Sequence, residues 1–138
     1  DHLRAIQLNV ADTPDLVPPL AIVAAFAEGT SKFSGVQRLR LKESDRLQSI
    51  TAAISALGGR AYIEGDDTLV IEGHGSLDGG SVDGESDHRI VMMASVAASF
   101  ANDPTTITHA EAIAKSYPTF FEDFRVLGGN VELTDTTE

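Results

Sequence analysis

Two long, almost continuously apolar segments dominate the hydrophobic pattern of the chain, residues 16–26 and residues 90–100. Each exceeds the four to eight residues usual for a buried strand, so the length favours a helix. Neither segment has a polar face, and a helix that is hydrophobic all round is normally surrounded by protein. The pattern therefore predicts two central helices, each buried on all sides.

Two further segments have the spacing of amphipathic helices. Residues 46–57 and 116–127 both repeat apolar side chains every three or four positions, which places them on one helix face. The predicted apolar stripes are Leu47, Ile50, Ile54 and Leu57 in the first segment, and Phe120, Phe121, Phe124 and Leu127 in the second. Both segments run into the sequence Leu-Gly-Gly, and glycine accepts the left-handed conformation that ends many helices. We therefore expect both helices to end there.

Short β-rich segments separate these helices. In the first half the predicted strands are residues 31–36, 60–64 and 68–72, and in the second half residues 105–108 and 130–134. Asp66 and Asp67 stand between two of them as a turn, which predicts a β-hairpin.

The order of elements is the same in both halves, and the tripeptide Leu-Gly-Gly recurs at residues 57–59 and 127–129. Matched element order indicates an internal repeat. We predict an α/β (α+β) fold of two tandem units, residues 1–72 and 81–138. The glycine-rich segment 73–84 connects them; its spacing matches neither a Rossmann fingerprint nor a Walker loop, so we expect a simple connection.

Composition narrows the functional classes. The chain has 138 residues, 21 acidic against 10 basic side chains, a net charge of −11 and no cysteine. An acidic chain lacks the basic face that nucleic acid requires, and without cysteine there is no disulfide framework or thiolate metal site. No apolar stretch is long enough for a membrane span. We expect a cytoplasmic globular protein. Because the chain starts at Asp1 without methionine, we also expect it to be cut from a longer one.

Basic residues cluster despite the acidic background. Arg38, Arg40, Lys42 and Arg46 fall close together. The first three alternate, so an extended strand would place their side chains on one face. Such a row is either a solvated edge that discourages aggregation or an anion-binding surface.

Equivalent helix ends of a repeat tend to lie on one side of the fold. That relation predicts a shared rim carrying Asp15, Glu43, Arg46, Arg89 and Lys115. Cations of this kind bind phosphate or carboxylate groups, and the acids can move protons. The alternative is helix capping by Asp15, Asp87 and either Ser44 or Asp45. Capping explains the aspartates well but not cations at a helix start. The four histidines have no metal-ligand spacing, and we expect His88 to be structural.

Four sequence motifs resemble the C-terminal part of the 5-enolpyruvylshikimate-3-phosphate synthase family. They are Thr-Pro-Asp-Leu at 13–16, Leu-Lys-Glu-Ser-Asp-Arg-Leu at 41–47, Asp-His-Arg at 87–89 and Ala-Lys-Ser-Tyr-Pro at 114–118. The resemblance implies an enolpyruvyl-transferase-like domain of β-α-β-α-β-β units around buried helices. It also implies a second domain and a third unit outside this chain. The implied reaction transfers the enolpyruvyl group of phosphoenolpyruvate to the 5-hydroxyl of shikimate 3-phosphate and releases phosphate.

The same resemblance implies residue roles. The implied catalytic groups are Asp15, Glu43 and Lys115; the implied phosphoenolpyruvate ligands are Arg46, Arg89 and Lys115; the implied shikimate 3-phosphate ligands are Asp15 and Lys42. No metal or organic cofactor is implied. Glyphosate is expected to compete with phosphoenolpyruvate at the same cations. Arg38 stands where some members have a neutral amide, so no substrate contact is assigned to it.

Other interpretations stay open at this stage. The sister enzyme UDP-N-acetylglucosamine enolpyruvyl transferase shares the fold but has different residues at the second and third motifs. A non-catalytic anion-binding module and an interaction domain with an apolar edge are the remaining alternatives. For the synthase itself, we expect this chain to be inactive without the missing N-terminal part of the enzyme.

Overall fold

The computed structural model describes residues 3–42 and 45–133. Glu43 and Ser44 therefore lie outside the described residues, and so does the side chain of Lys115.

The first half of the chain forms a four-stranded sheet with two helices. The elements are β1 (Gln7–Asn9), α1 (Val17–Phe26), β2 (Glu28–Ser34), α2 (Arg46–Ala56), β3 (Arg60–Glu64) and β4 (Thr68–His74). Short 3-10 helices precede α1 and α2, at Pro14–Leu16 and Gln37–Leu41. The strand order is β1-β2-β4-β3, with β1 parallel to β2 and the other pairs antiparallel. The predicted hairpin of β3 and β4 is confirmed.

The second half contributes β5 (Ser81–Asp83), α3 (His88–Phe100), β6 (Thr106–Thr108), a 3-10 helix (Ala110–Lys115) and α4 (Phe120–Val126). Strands β5 and β6 pair in parallel as a second small sheet. Helices and strands thus alternate as expected, and the α/β class is confirmed. The division into units 1–72 and 81–138 stays a prediction.

The hydrophobic core lies where α1, α2 and α3 meet the larger sheet. The predicted stripe of α2, from Leu47 to Leu57, is completely buried. Phe33 of β2 and Ile71 of β4 face it from the sheet and belong to the same cluster. Burial of this apolar surface is the main force that holds the helices against the sheet.

Helices α1 and α3 lie side by side and run in the same direction. At their first turns, Arg89 Nη2 is 3.6 Å from the Asp15 carboxylate just before α1. At their last turns, the rings of Phe26 and Phe100 meet edge to face with centroids 6.2 Å apart. Parallel packing therefore brings both helix starts, with the charged residues beside them, to one end of the molecule.

The prediction that α1 and α3 are buried on all sides is wrong. Val23 in α1 and Val96 in α3 are 49% and 41% exposed. Both line an apolar groove of about 600 Å³, which continues to Phe26 and Phe100. Within residues 3–42 and 45–133, no segment covers this face of the two helices.

The strand predicted for Arg38, Arg40 and Lys42 is also wrong. Residues Gln37–Leu41 form a 3-10 helix, in which the N–H of Leu39 donates to Val36 O at 3.0 Å. Leu39 is fully buried whereas Leu41 is 86% exposed, so the apolar alternation of the sequence does not correspond to a half-buried strand.

The second amphipathic helix is shorter than predicted. Residues 116–119 lie outside α4, and the preceding 3-10 helix already ends at Lys115. Pro118 lacks the N–H that an interior helical residue donates, which accounts for the break. The predicted stripe is not a buried one, since Leu127 is 88% exposed. Residues 130–133 form no strand, and position 134, the last of the predicted strand, lies outside the described residues.

Candidate active site

The carboxylate of Asp15 lies among three cationic side chains at the common end of α1 and α3. Asp15 is the middle residue of the 3-10 helix Pro14–Leu16, in which Pro14 presets the backbone. Its oxygens are 3.7 Å from Lys42 Nζ, 3.3 Å from Arg46 Nη1 and 3.6 Å from Arg89 Nη2. The Asp15 side chain is nevertheless 51% exposed. Three cations thus converge on one accessible negative group.

Arg46 is the most buried of these three cations, and its guanidinium binds Asp87. Its Nε and Nη2 each lie 3.0 Å from an oxygen of Asp87, the bidentate geometry in which guanidinium and carboxylate match best. The two side chains are 1% and 0% exposed. Nη1 is directed away from Asp87 towards Asp15. A buried ion pair therefore fixes the direction in which Arg46 presents Nη1 to Asp15.

Helix starts place both cations. Asp87 is the N-cap of α3 and its Oδ1 accepts from the backbone N–H of Arg89 at 3.0 Å. Asp45 is the N-cap of α2 and accepts from the N–H of Gln48, so Arg46 is the first residue of that helix. The capping predicted for Asp87 and Asp45 is confirmed. Asp15 has a different role, because the N-cap position of α1 is Leu16, which makes no side-chain cap.

Four of the predicted site residues are therefore together: Asp15, Lys42, Arg46 and Arg89. Glu43 lies outside the described residues. For Lys115 the structure gives the backbone, at the end of the 3-10 helix Ala110–Lys115. The catalytic and binding roles of all six residues stay predictions.

Two partners in this region were not anticipated from the sequence. One is Asp87 as the ion-pair partner of Arg46, a contact between positions 41 residues apart that no local pattern encodes. The other is Asp83, whose Oδ1 lies 2.8 Å from Nδ1 of His109. This contact could be predicted only from the pairing of β5 with β6, because that pairing brings the two strand ends together.

The described residues contain neither a metal-binding group nor a membrane-spanning helix. In the described part of the chain, no group of three or more His, Cys, Asp or Glu side chains could hold a metal ion. Over the same residues, no helix is long and apolar enough to cross a bilayer. The apolar groove beside Phe26 and Phe100 contains none of the charged residues around Asp15.

Comparison with known proteins places these residues in a family. The family model for EPSP synthase (3-phosphoshikimate 1-carboxyvinyltransferase) matches residues 1–124. The chain belongs to the EPSP synthase family. This agrees with the four sequence motifs, three of which contribute side chains to the cluster around Asp15.

Individual relatives agree with this assignment. The chain is 43% identical over 130 residues to the 3-phosphoshikimate 1-carboxyvinyltransferase of Clostridium acetobutylicum, covering 94% of this chain and 30% of that protein. It is 45% identical over 132 residues to the same enzyme of Methanocella arvoryzae, covering 96% and 31%. The chain thus spans about 30% of the length of these EPSP synthases.

Solved structures give the same result for the fold. An EPSP synthase from Acinetobacter baumannii superposes with a TM-score of 0.83 at 34% identity, covering 91% of this chain and 30% of that one. The enolpyruvyl transferase NikO from Streptomyces tendae superposes with a TM-score of 0.73 at 20% identity, covering 99% and 31%. The second likeness concerns the fold alone.

Proposed function

We propose that this chain supplies part of the active site that transfers the enolpyruvyl group of phosphoenolpyruvate to the 5-hydroxyl of shikimate 3-phosphate, with release of phosphate. The observation that carries the proposal is the convergence of Lys42, Arg46 and Arg89 on the carboxylate of Asp15. Both substrates are polyanions, and the reaction needs an acid–base group beside them. The remaining contacts come from parts of the enzyme that this chain, at about 30% of the length of its relatives, does not include.

The cations hold phosphoenolpyruvate. Its carboxylate and phosphate both suit the planar donor fork of arginine. Arg46 is oriented in advance by Asp87, so little side-chain entropy is lost when the ligand arrives. Arg89, which is 37% exposed, and Lys115 complete the phosphoenolpyruvate ligands, while Lys42 and Asp15 contact shikimate 3-phosphate. Without ligand, the carboxylate of Asp15 serves as the anion of the cluster.

Proton transfer falls to the acids. The exposed Asp15 carboxylate accepts the proton of the attacking 5-hydroxyl, and Glu43 is proposed to deliver a proton to the methylene carbon. The hydroxyl oxygen then bonds to the central carbon and forms a tetrahedral intermediate. The intermediate then loses phosphate, and its methyl group returns a proton to Glu43. The product is the enolpyruvyl ether. General acid–base help of this kind contributes about 10²–10⁴-fold per group, and fixed cations stabilise the charge that develops.

We also propose an inhibitor of the site, the compartment in which the protein acts, and a need for the rest of the enzyme. Glyphosate, an anion that competes with phosphoenolpyruvate in this family, is proposed to contact the same cations. The protein is proposed to act in the cytoplasm, without metal or organic cofactor. This chain alone is proposed to be inactive and to need the remaining part of the enzyme for turnover.

A ligand titration followed by NMR tests the site. Amide and arginine side-chain signals are recorded while phosphoenolpyruvate, then shikimate 3-phosphate, is added to the isotope-labelled chain. Changes confined to Asp15, residues 42–46, Arg89 and Lys115 are expected. Equal changes with inorganic phosphate alone would instead favour a general anion-binding module, and a response to UDP-N-acetylglucosamine would favour the sister enzyme.

Turnover is tested in an assembled enzyme, in which this chain replaces the matching segment of the Clostridium acetobutylicum relative. Phosphate release that requires both substrates is expected. An assembled enzyme that folds and binds both substrates without turnover would overturn the catalytic proposal. Turnover by this chain alone would overturn its proposed inactivity.

A further inference from the structure

Three residues other than glycine have a positive φ in the described part of the chain: Glu85 at 51°, Ser86 at 55° and His109 at 52°. This left-handed conformation is unfavourable for residues with a Cβ and persists where surrounding contacts enforce it. All three residues lie at the carboxyl end of the parallel pair β5–β6. Unfavourable backbone is thus concentrated beside the candidate site.

One carboxylate contacts two of these three residues, Glu85 and His109. Oδ1 of Asp83, at the end of β5, accepts from the N–H of Glu85 at 2.7 Å and lies 2.8 Å from Nδ1 of His109. The N–H of Glu85 is the main cause that lowers the pKa of Asp83, and His109 lowers it further, so the carboxylate is charged at neutral pH. The turn closes where the N–H of Asp87 donates to Gly84 O at 3.0 Å.

The first half of the chain has the same arrangement with a different residue. Oδ1 of Asn9, at the end of β1, accepts from the N–H of Ala11 at 2.9 Å. The residue after β2 is Gly35, with a φ of 76°. After β6 the corresponding residue is His109. Histidine thus occupies a left-handed position for which the other half uses glycine, and its contact with Asp83 is the interaction that glycine could not make.

The segments joined by this contact carry site residues. The turn after Asp83 leads directly to Asp87, which caps α3 and holds Arg46, and then to Arg89. His109 is the N-cap residue of the 3-10 helix that ends at Lys115. Asp83 and His109 therefore connect the backbone that presents Arg89 to the backbone that presents Lys115.

We propose that Asp83 and His109 form a positioning pair that sets the relative placement of Arg89 and the Lys115 helix for phosphoenolpyruvate binding. The proposal rests on the proposed function, since it concerns the phosphoenolpyruvate ligands of that site. Neither residue touches substrate in it. Both act through the start of α3 and the start of the 3-10 helix.

Four variants separate positioning from general stability. Asp83→Ala removes the acceptor, and Asp83→Asn keeps an oxygen that can accept from Glu85. His109→Gly removes the ring and at the same time relieves the left-handed backbone. Asn9→Ala is the matched control, because it removes the same kind of side-chain to backbone bond after β1.

The first readout needs no ligand. Arg89 Nε and Lys115 amide shifts are compared by NMR, together with amide hydrogen exchange of Glu85 to Arg89. Asp83→Ala is expected to shift these signals and to speed exchange about tenfold, while the β3–β4 hairpin is unaffected and Asp83→Asn largely restores them. Unchanged Arg89 and Lys115 signals in Asp83→Ala would overturn the proposal, as would a loss of protection throughout the chain.

The second readout is the Kd of phosphoenolpyruvate. His109→Gly is expected to melt at the same temperature as the parent or higher, yet to bind phosphoenolpyruvate about fivefold more weakly, roughly 1 kcal/mol by the usual conversion. Equal affinity in His109→Gly, or an equal loss in Asn9→Ala, would contradict the positioning role. If the parent chain itself binds no phosphoenolpyruvate, the proposed site fails as an isolated unit, and the ligand-free readout decides the positioning role alone.

Discussion

The guanidinium of Arg46 and the carboxylate of Asp87 face each other through two 3.0 Å contacts in a space closed to solvent. Replacing Arg46 by leucine leaves Asp87 as a buried charge without its guanidinium. Removal of one partner from such a pair costs about 3–5 kcal/mol of unfolding free energy. We expect a loss of this size for Arg46→Leu, measured by urea denaturation.

A double variant serves as the control. Arg46→Leu combined with Asp87→Leu removes both charges, so it is expected to unfold at a higher urea concentration than Arg46→Leu alone, even though the cap of α3 is lost. A double variant no more stable than the single one would show that the ion pair does not dominate the energetics here.

Replacing Asp15 by asparagine separates binding from chemistry. The variant removes the internal anion from among Lys42, Arg46 and Arg89, so phosphoenolpyruvate is expected to bind more tightly. Turnover of the assembled enzyme should fall about 10²–10⁴-fold, because the base is lost. Calorimetry and phosphate release measure the two effects. Asp12→Asn, an exposed neighbour, should change neither; weaker ligand binding in Asp15→Asn would refute this account.

Arg89→Ala is expected to remove a ligand of phosphoenolpyruvate without disturbing the fold, since the side chain is 37% exposed. Loss of the charged partner of a bound anion costs about 2–5 kcal/mol of transition-state stabilisation. The kcat/KM of the assembled enzyme measures this loss. Arg125→Ala, which also truncates an exposed arginine, is the control. Unchanged kinetics in Arg89→Ala would show that Arg89 is a surface residue without a role in catalysis.

Tyr117 provides a spectroscopic test of the segment after Lys115. Its hydroxyl donates to Asp123 Oδ2 at 2.8 Å, and this hydrogen bond is the main cause that raises its pKa. A raised phenol pKa means that the neutral form is favoured in the folded state, so the contribution to stability is present at neutral pH and is lost as the pH rises through the folded pKa.

Asp123→Ala removes the acceptor and should therefore lower the pKa of Tyr117 towards its ordinary value. The pKa of Tyr117 is measured by absorbance titration at the phenolate band. Because the chain has 2 tyrosines, the measurement is made in a Tyr62→Phe background. An identical titration curve in Asp123→Ala and the parent would mean that the hydrogen bond does not persist in solution.

Gly73 in β4 tests the packing of α1 on the sheet. A Cβ there would lie 2.5 Å from Ala24 O and closer still to Ala27 O, both backbone atoms at the end of α1. Gly73→Ala is expected to destabilise the fold by about 1–3 kcal/mol through overpacking. Thermal melts measure the loss, and a melting temperature of Gly73→Ala equal to that of the parent would contradict the close approach.

Local pattern predicted those elements whose burial follows one periodicity. The stripe from Leu47 to Leu57 is an example, because each of its four apolar side chains is fully buried. Leu41 shows the limit: it continues an alternating pattern, yet it is 86% exposed in a 3-10 helix. Val23 shows a second limit, since the sequence of a helix does not reveal which other segments will pack against it.

The candidate site divides in the same way. Asp15, Arg46 and Arg89 were placed together from equivalent helix ends and from the family resemblance. The ion pair of Arg46 with Asp87 was not foreseen, because Asp87 had a sufficient local role as a helix cap. Asp87 accepts from a nearby backbone N–H and also pairs with a distant arginine. Only the nearby cap can be predicted from the residues that surround it in the sequence.

Asp15 and Asp87 stand at the starts of two parallel helices, but one is half exposed and the other is sealed. A proton can reach or leave a carboxylate only where solvent or substrate has access. The sealed aspartate is thus restricted to holding an arginine in place, while the open one is free to exchange protons. Asp15 and Asp87 occupy similar positions in the sequence, and their different access to water gives them different roles.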